Sequence, residues 1–95
     1  MTAISVLSIA GSFAENKDRA REARVALLMP ALARQEEVVI DFSGVEGATQ
    51  SFVHALIADA LRQYGPDALD KILFKGCNET IKKIIGIVTE YMQEI

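Results

Sequence analysis

The stretch from Val38 to Ile57 constrains the chain most. It opens with Val38-Val39-Ile40-Asp41-Phe42, an apolar run broken by one carboxylate. Two valines, an isoleucine and a phenylalanine suit a strand covered on both faces. Ser43-Gly44-Val45-Glu46-Gly47-Ala48 follows, a short loop with two glycines. Thr49-Gln50-Ser51 then leads into an amphipathic run through Leu56 and Ile57. Strand, tight loop and helix N-terminus make the arrangement at which open α/β sheets place function. The first N–H groups of a helix lack intrahelical partners and carry partial positive charge. A hydroxyl placed there is exposed, and a phosphate added to it is accommodated.

The flanking segments alternate in type. Ile4 to Ile9 is expected to form a strand near a sheet edge, because Ser5 and Ser8 interrupt it. Gly11-Ser12 ends it, and Ser12-Phe13 is compatible with a further extended segment or with none. Glu15 to Arg34 is rich in helix formers, with Asn16 as N-cap and Asp18 in the first turn. Ala20, Ala23, Leu27 and Ala31, with Leu28 and Leu32, form its apolar stripe. Pro30 removes a hydrogen bond and costs ~3 kcal/mol in a helix interior, which predicts a kink there or an end near Leu28. Gln35-Glu36-Glu37 is a polar connection into the central strand.

A helix is predicted over 49–64, with Phe52, Val53, Leu56, Ile57, Ala60 and Tyr64 on one face. Gly65 and Pro66 stop it. Asp70 to Lys75 is expected to be a second buried-type strand, closed by Gly76. Asn78 caps the last helix, whose buried face is Ile81, Ile84, Ile85, Val88, Met92 and Ile95. Gly86 weakens that helix and is expected to allow close packing on the sheet, while Ile87 falls off the stripe. The order is β-α-β-α-β-α. It predicts an α/β fold with a small parallel or mixed sheet packed with helices, in a single domain over residues 1–95.

Composition narrows the function classes. Half of the 95 residues are apolar, enough for one core, and no apolar run is long enough to span a bilayer. The N-terminus lacks the positive region of a signal peptide, so a cytoplasmic protein is expected. A lone Cys77 excludes an internal disulfide. The net charge of −3 argues against a nucleic-acid binder, which needs a basic footprint. One histidine, His54, and one cysteine do not make a metal site, so neither metal nor cofactor is expected. Gly44 and Gly47 lack the further glycine and lysine of a phosphate-binding loop.

Asp41-Phe42-Ser43-Gly44-Val45, followed by Thr49-Gln50-Ser51-Phe52, resembles the signature of STAS domains, the fold of bacterial anti-sigma factor antagonists. In that family an apolar strand leads into Asp-Leu-Ser-Gly-Val, and Asp-Ser-Ser-Gly-Leu opens a helix. On this register Phe42 stands for the family Leu, and Ser51 falls at the residue phosphorylated in the antagonists. Thr49, Gln50 and Phe52 replace the family Asp, Ser and Gly. These departures resemble the divergent STAS-like domains of unknown function, which read Asp-Phe-x-x-Val and then Ser-Phe. The likeness is clearest over Val38–Ile57 and extends more weakly from about Glu15 to Tyr91.

The resemblance implies a non-enzymatic regulatory module that binds a protein partner. The implied partner is an anti-sigma factor or another histidine-kinase-type ATPase. Phosphorylation at Ser51 would add close to two negative charges and expel a partner docked over the site. The expected partner-binding residues are Asp41, Ser43, Gly44, Glu46, Gly47, Thr49, Gln50 and His54.

Each candidate also has a plainer explanation. Thr49 to Ser51 suit any helix start. Asp41 is suited to accept N–H bonds from the following loop. His54 suits a solvated helix surface, and Cys77 a half-buried thiol, although a helix N-terminus beside it would lower its pKa. An aspartyl-phosphate receiver is excluded, since Ala10-Gly11-Ser12 follows the first strand where an acidic pair is required. An alternative function is a small-ligand sensor or enzyme using Asp41, Ser51 and His54 in a pocket at the strand ends. No nucleophile–base–orienter set supports it. Lys17, Arg19, Arg21 and Arg24 form a basic stretch, either a solvated face or a docking surface for an acidic partner. With Ile87, that stretch would serve a homo-oligomer.

Overall fold

Val38 and Ile40 lie on one face of the central strand and are fully buried. Around them the computed structural model, which describes residues 1–93, builds an α/β domain. In order the chain forms β1 (Thr2–Ser5), α1 (Val6–Ala10), β2 (Phe13–Ala14) and α2 (Lys17–Ala23). A π-helical turn (Arg24–Leu28), α3 (Met29–Ala33), β3 (Val38–Asp41) and β4 (Gly47–Ala48) follow. The chain continues with α4 (Gln50–Tyr64), α5 (Pro66–Lys71), β5 (Ile72–Lys75) and α6 (Glu79–Gln93). β3 pairs in parallel with β1 and β5, and β2 with β4. The fold class and the parallel pairing are those expected, and α1, β2, β4 and α5 are additions to the expected order.

The sheet is covered on one face only, so the expected cover on both faces of Val38–Phe42 is corrected. Ile4, Val38, Ile40 and Ile72 join one core with the buried faces of α2, α4 and α6. The register sets Ala3, Val39 and Leu73 in one row of the other face, and Ser5, Asp41 and Lys75 in the next. Every residue in these two rows is exposed or half-buried. α4 packs against both α2 and α6, which explains why Ala58 and Leu61 are buried besides the predicted stripe.

The expected strand over 4–9 ends at Ser5. The Ser5 hydroxyl accepts the Ser8 N–H at 3.2 Å and caps α1, which stops at Gly11. The side-chain cap outweighs the strand preference of Val6 and Ile9. The helix does not end near Leu28. It passes through the π-helical turn immediately before Pro30, whose missing N–H and ring the widened backbone accommodates. Gln35, at φ 61°, ends α3, with its N–H on the Leu32 carbonyl and the Glu36 N–H on that of Ala31.

Pro66 does more than stop α4: it opens α5, which takes Asp70 and Lys71 out of the expected strand. β5 is not of the buried type, since Leu73 is 54% exposed. Gly86 does not approach the sheet, because a Cβ there would meet nothing within 4 Å. Ile81, Ile85, Val88 and Met92 are buried as expected, Ile84 is half-buried, and Ile87 is exposed. Ile95, expected on the same face, lies outside the described residues.

Candidate functional site

The loop between β3 and α4 is tied down on three sides. Asp41 Oδ1 accepts the Ser43 N–H at 2.8 Å, the turn contact expected of an aspartate at this position. The Ser43 hydroxyl, then its N–H, hold the Asp41 carboxyl below its ordinary value, with Lys75 adding to the effect. On the second side, the Phe42 N–H donates to the Lys75 carbonyl at 2.7 Å. Gly76, at φ 71°, lets the chain pass so close that a Cβ there would sit 2.7 Å from Ser43 N.

On the third side, the Glu46 N–H donates to the Ser12 carbonyl at 2.7 Å, and the Thr49 N–H to that of Ala14 at 2.9 Å. Asn78 fastens the loop to α6. Its Oδ1 accepts the Ile81 N–H, confirming the cap, while its Nδ2 donates to the Glu46 carbonyl at 2.8 Å. The loop is therefore a formed surface, held by backbone bonds, the Asp41 carboxylate and the Asn78 side-chain amide.

Two large apolar side chains rest on the glycines of this loop. A Cβ on Gly44 would lie 2.8 Å from Leu7 Cδ2, and one on Gly47 would lie 2.9 Å from Phe13 Cδ1. Leu7 is nevertheless 42% exposed and Phe13 53% exposed. The glycines let the two side chains lie flat on the loop while one side of each stays in water. Leu7, Phe13 and Asn78 are absent from the residues that sequence reasoning assigned to the site. The signal that could have pointed to the first two is the pair Gly44 and Gly47, which marks close approach by something bulky.

A family model described as the STAS-like domain of unknown function (DUF4325) matches residues 24–82. The chain belongs to this family. The match takes in β3, the loop and the whole of α4, so the expected relationship holds over the segment that carries the site. Leu7 and Phe13 precede the matched residues. No curated relative and no solved structure matches the chain significantly.

In this STAS-like domain Thr49 is the N-cap of α4, its hydroxyl accepting the Phe52 N–H at 3.1 Å. A threonine hydroxyl presents the acceptor oxygen that an N-cap position requires. Phe52 is fully buried and anchors the first turn of α4. Gln50 and Ser51 are exposed in that turn, and His54 is half-buried one turn later. Ser43, Gly44 and Glu46 are exposed, and Gly47 is buried beneath Phe13.

Among the described residues no hydrogen bond links Asp41 to Ser51 or His54, and no cluster of histidine, cysteine or carboxylates could hold a metal. A 280 Å³ cavity lies instead between Leu32, Tyr64, Ala68, Asp67, Asp70 and Lys71. Burial pushes the Cys77 thiol above its ordinary pKa, with Asp41 opposing the lowering effect of Lys82. The shift favours the protonated thiol over the thiolate. No helix among the described residues is long and apolar enough to cross a membrane.

Proposed function

We propose that this STAS-like domain is a regulatory protein-interaction module whose docking surface is the Ser43–Ala48 loop with Leu7, Phe13 and the exposed start of α4. The observation that carries this reading is the pair of half-exposed apolar side chains on a loop already fixed by hydrogen bonds. Such a surface offers apolar area for burial without an ordering cost on binding. Glu46, Gln50 and His54 supply a polar rim, as binding surfaces commonly have.

Ser51 is the proposed switch. Its hydroxyl is exposed in the first turn of a 15-residue helix, where a phosphate meets the helix dipole. The same charge would oppose a partner seated over Leu7 and Phe13. The STAS resemblance suggests a histidine-kinase-type ATPase or an anti-sigma factor as that partner. The test is to incubate the domain with such an ATPase and ATP, and to locate any phosphate by mass spectrometry. Phosphate on Ser51, absent in Ser51→Ala, is the expected result. A phosphate on another residue, or none while the two proteins bind, would remove Ser51 from the control.

A further inference from the structure

β5 is an edge strand. It is bonded to β3 on one side, and among the described residues no strand pairs with its other edge. The Lys75 carbonyl faces β3, where it accepts the Phe42 N–H. Peptide groups alternate in direction along a strand, so those of Phe74 face the open edge.

Beside this edge lies a groove of 420 Å³ lined by Phe74, Gly76, Cys77, Lys82, Ile85 and Gly86. Its floor is apolar, with Phe74 half-buried and Ile85 buried. Gly86 leaves open space above its Cα, where a Cβ would touch nothing. In a chain of net charge −3, exposed Lys82 stands on the rim of the groove, exposed Lys75 lies on the other face of β5 opposite Asp41 of β3, and Lys71 immediately precedes the strand. Lys82 lies 3.7 Å from Glu79, but that pair is largely solvated and contributes little.

An unpaired edge next to an apolar groove is the surface used in strand addition, where main-chain bonds give affinity and side-chain pockets give specificity. Lysines on the edge oppose pairing with an identical basic edge, which disfavours a second copy of this chain. The same charges favour an acidic strand. We propose that the open edge of β5 and the Phe74–Ile85–Gly86 groove bind an extended acidic segment of a partner protein as an added strand. On one side its apolar residues enter the groove. On the other its carboxylates face Lys75, next to exposed Leu73. This surface is distinct from the Leu7–Phe13 loop and does not depend on the function proposed for it.

The experiment is an NMR titration of the ¹⁵N-labelled full chain with an end-blocked peptide alternating Glu and Val. Shifts at Ile72 to Gly76 and slowed exchange of the Phe74 amide are expected. Lys75→Glu combined with Lys82→Glu should weaken binding by about tenfold or more, and a Lys–Val peptide should bind that variant better than the wild type. Gly86→Leu fills the groove at an exposed helical position and should also abolish binding, with its circular dichroism unchanged. Three results would overturn the proposal. One is no change at Ile72 to Gly76 at about 1 mM peptide, a concentration that reveals even weak complexes. Another is equal binding of the two peptides by the wild type. The third is protection of the Phe74 amide that rises with protein concentration alone, which would put a second copy on the edge.

Discussion

Gly76 is held by two constraints at once. Its φ of 71° disfavours any side chain, and a Cβ would run into the backbone of Ser43. Gly76→Ala is therefore expected to lower stability by about 2–3 kcal/mol in urea unfolding. An effect within experimental error would show that the β3 and β5 ends are not packed as described. Asn78 has two roles, as cap and as tether. Asn78→Ala should cost about 1–2 kcal/mol by the same measurement. Asn78→Asp keeps the capping oxygen and loses the donor to Glu46, so it should recover only part of that loss.

Asp41 gives the pH dependence at this end of the sheet. Its folded pKa lies below the ordinary 3.8. The native state therefore binds fewer protons than the unfolded chain as Asp41 titrates. Its stabilising effect is complete above the ordinary value and is lost as pH falls through the folded one. The advantage of the wild type over Asp41→Asn should be constant near neutrality and shrink below about pH 4 in denaturation series. A gap independent of pH would contradict the contact with Ser43.

At the scale of elements, α6 contains a removable weakness. Gly86 is exposed, lies in the helix interior and has no neighbour to accommodate. Gly86→Ala should stabilise the domain by about 1 kcal/mol in urea unfolding. A loss of stability would mean that a contact forms at Gly86 after all. The pairing of Gly86→Ala with Gly76→Ala separates a glycine required by geometry from one that is not.

The elements legible in the sequence are those whose ends carry a capping side chain or a glycine. Asn16, Gly65 and Asn78 mark helix ends where expected, and the apolar run Val38–Ile40 marks the central strand. The elements that were not legible are short and set by tertiary contact. α1 spans five residues, including the β-branched Val6 and Ile9, and owes its helix to the Ser5 cap. β4 is Gly47–Ala48, which has little strand preference and is defined by its bonds to β2. The same reason hid part of the site. Leu7 and Phe13 join the Ser43–Ala48 loop because α1 and β2 bring them there, and no spacing rule links positions 7 and 13 to positions 44 and 47.

At the scale of the whole molecule, the domain places its helices on one side of a three-stranded parallel sheet and leaves the other side open. Parallel sheets are usually covered on both faces, so the open rows around Val39 and Leu73 distinguish this small domain from larger α/β proteins. The exposed apolar side chains are spread over several faces. Leu7 and Phe13 alone among them are seated on loop glycines beside the start of α4. On the proposed function, that placement is what links fold to role: the sheet presents the β3 end, β2 and α6 fix the loop, and the loop carries Leu7 and Phe13 just ahead of α4.

The most direct measurement is a capture experiment from host lysate with three baits, wild type, Phe13→Ser and Ser51→Asp, identifying bound proteins by mass spectrometry. Phe13 is half in water, so its replacement should leave the fold intact, which circular dichroism checks. The account predicts that the wild type retains a histidine-kinase-type ATPase or anti-sigma factor and that both variants lose it. Equal retention by wild type and Phe13→Ser would contradict the docking surface. Loss with Phe13→Ser but retention with Ser51→Asp would keep the surface and contradict the switch.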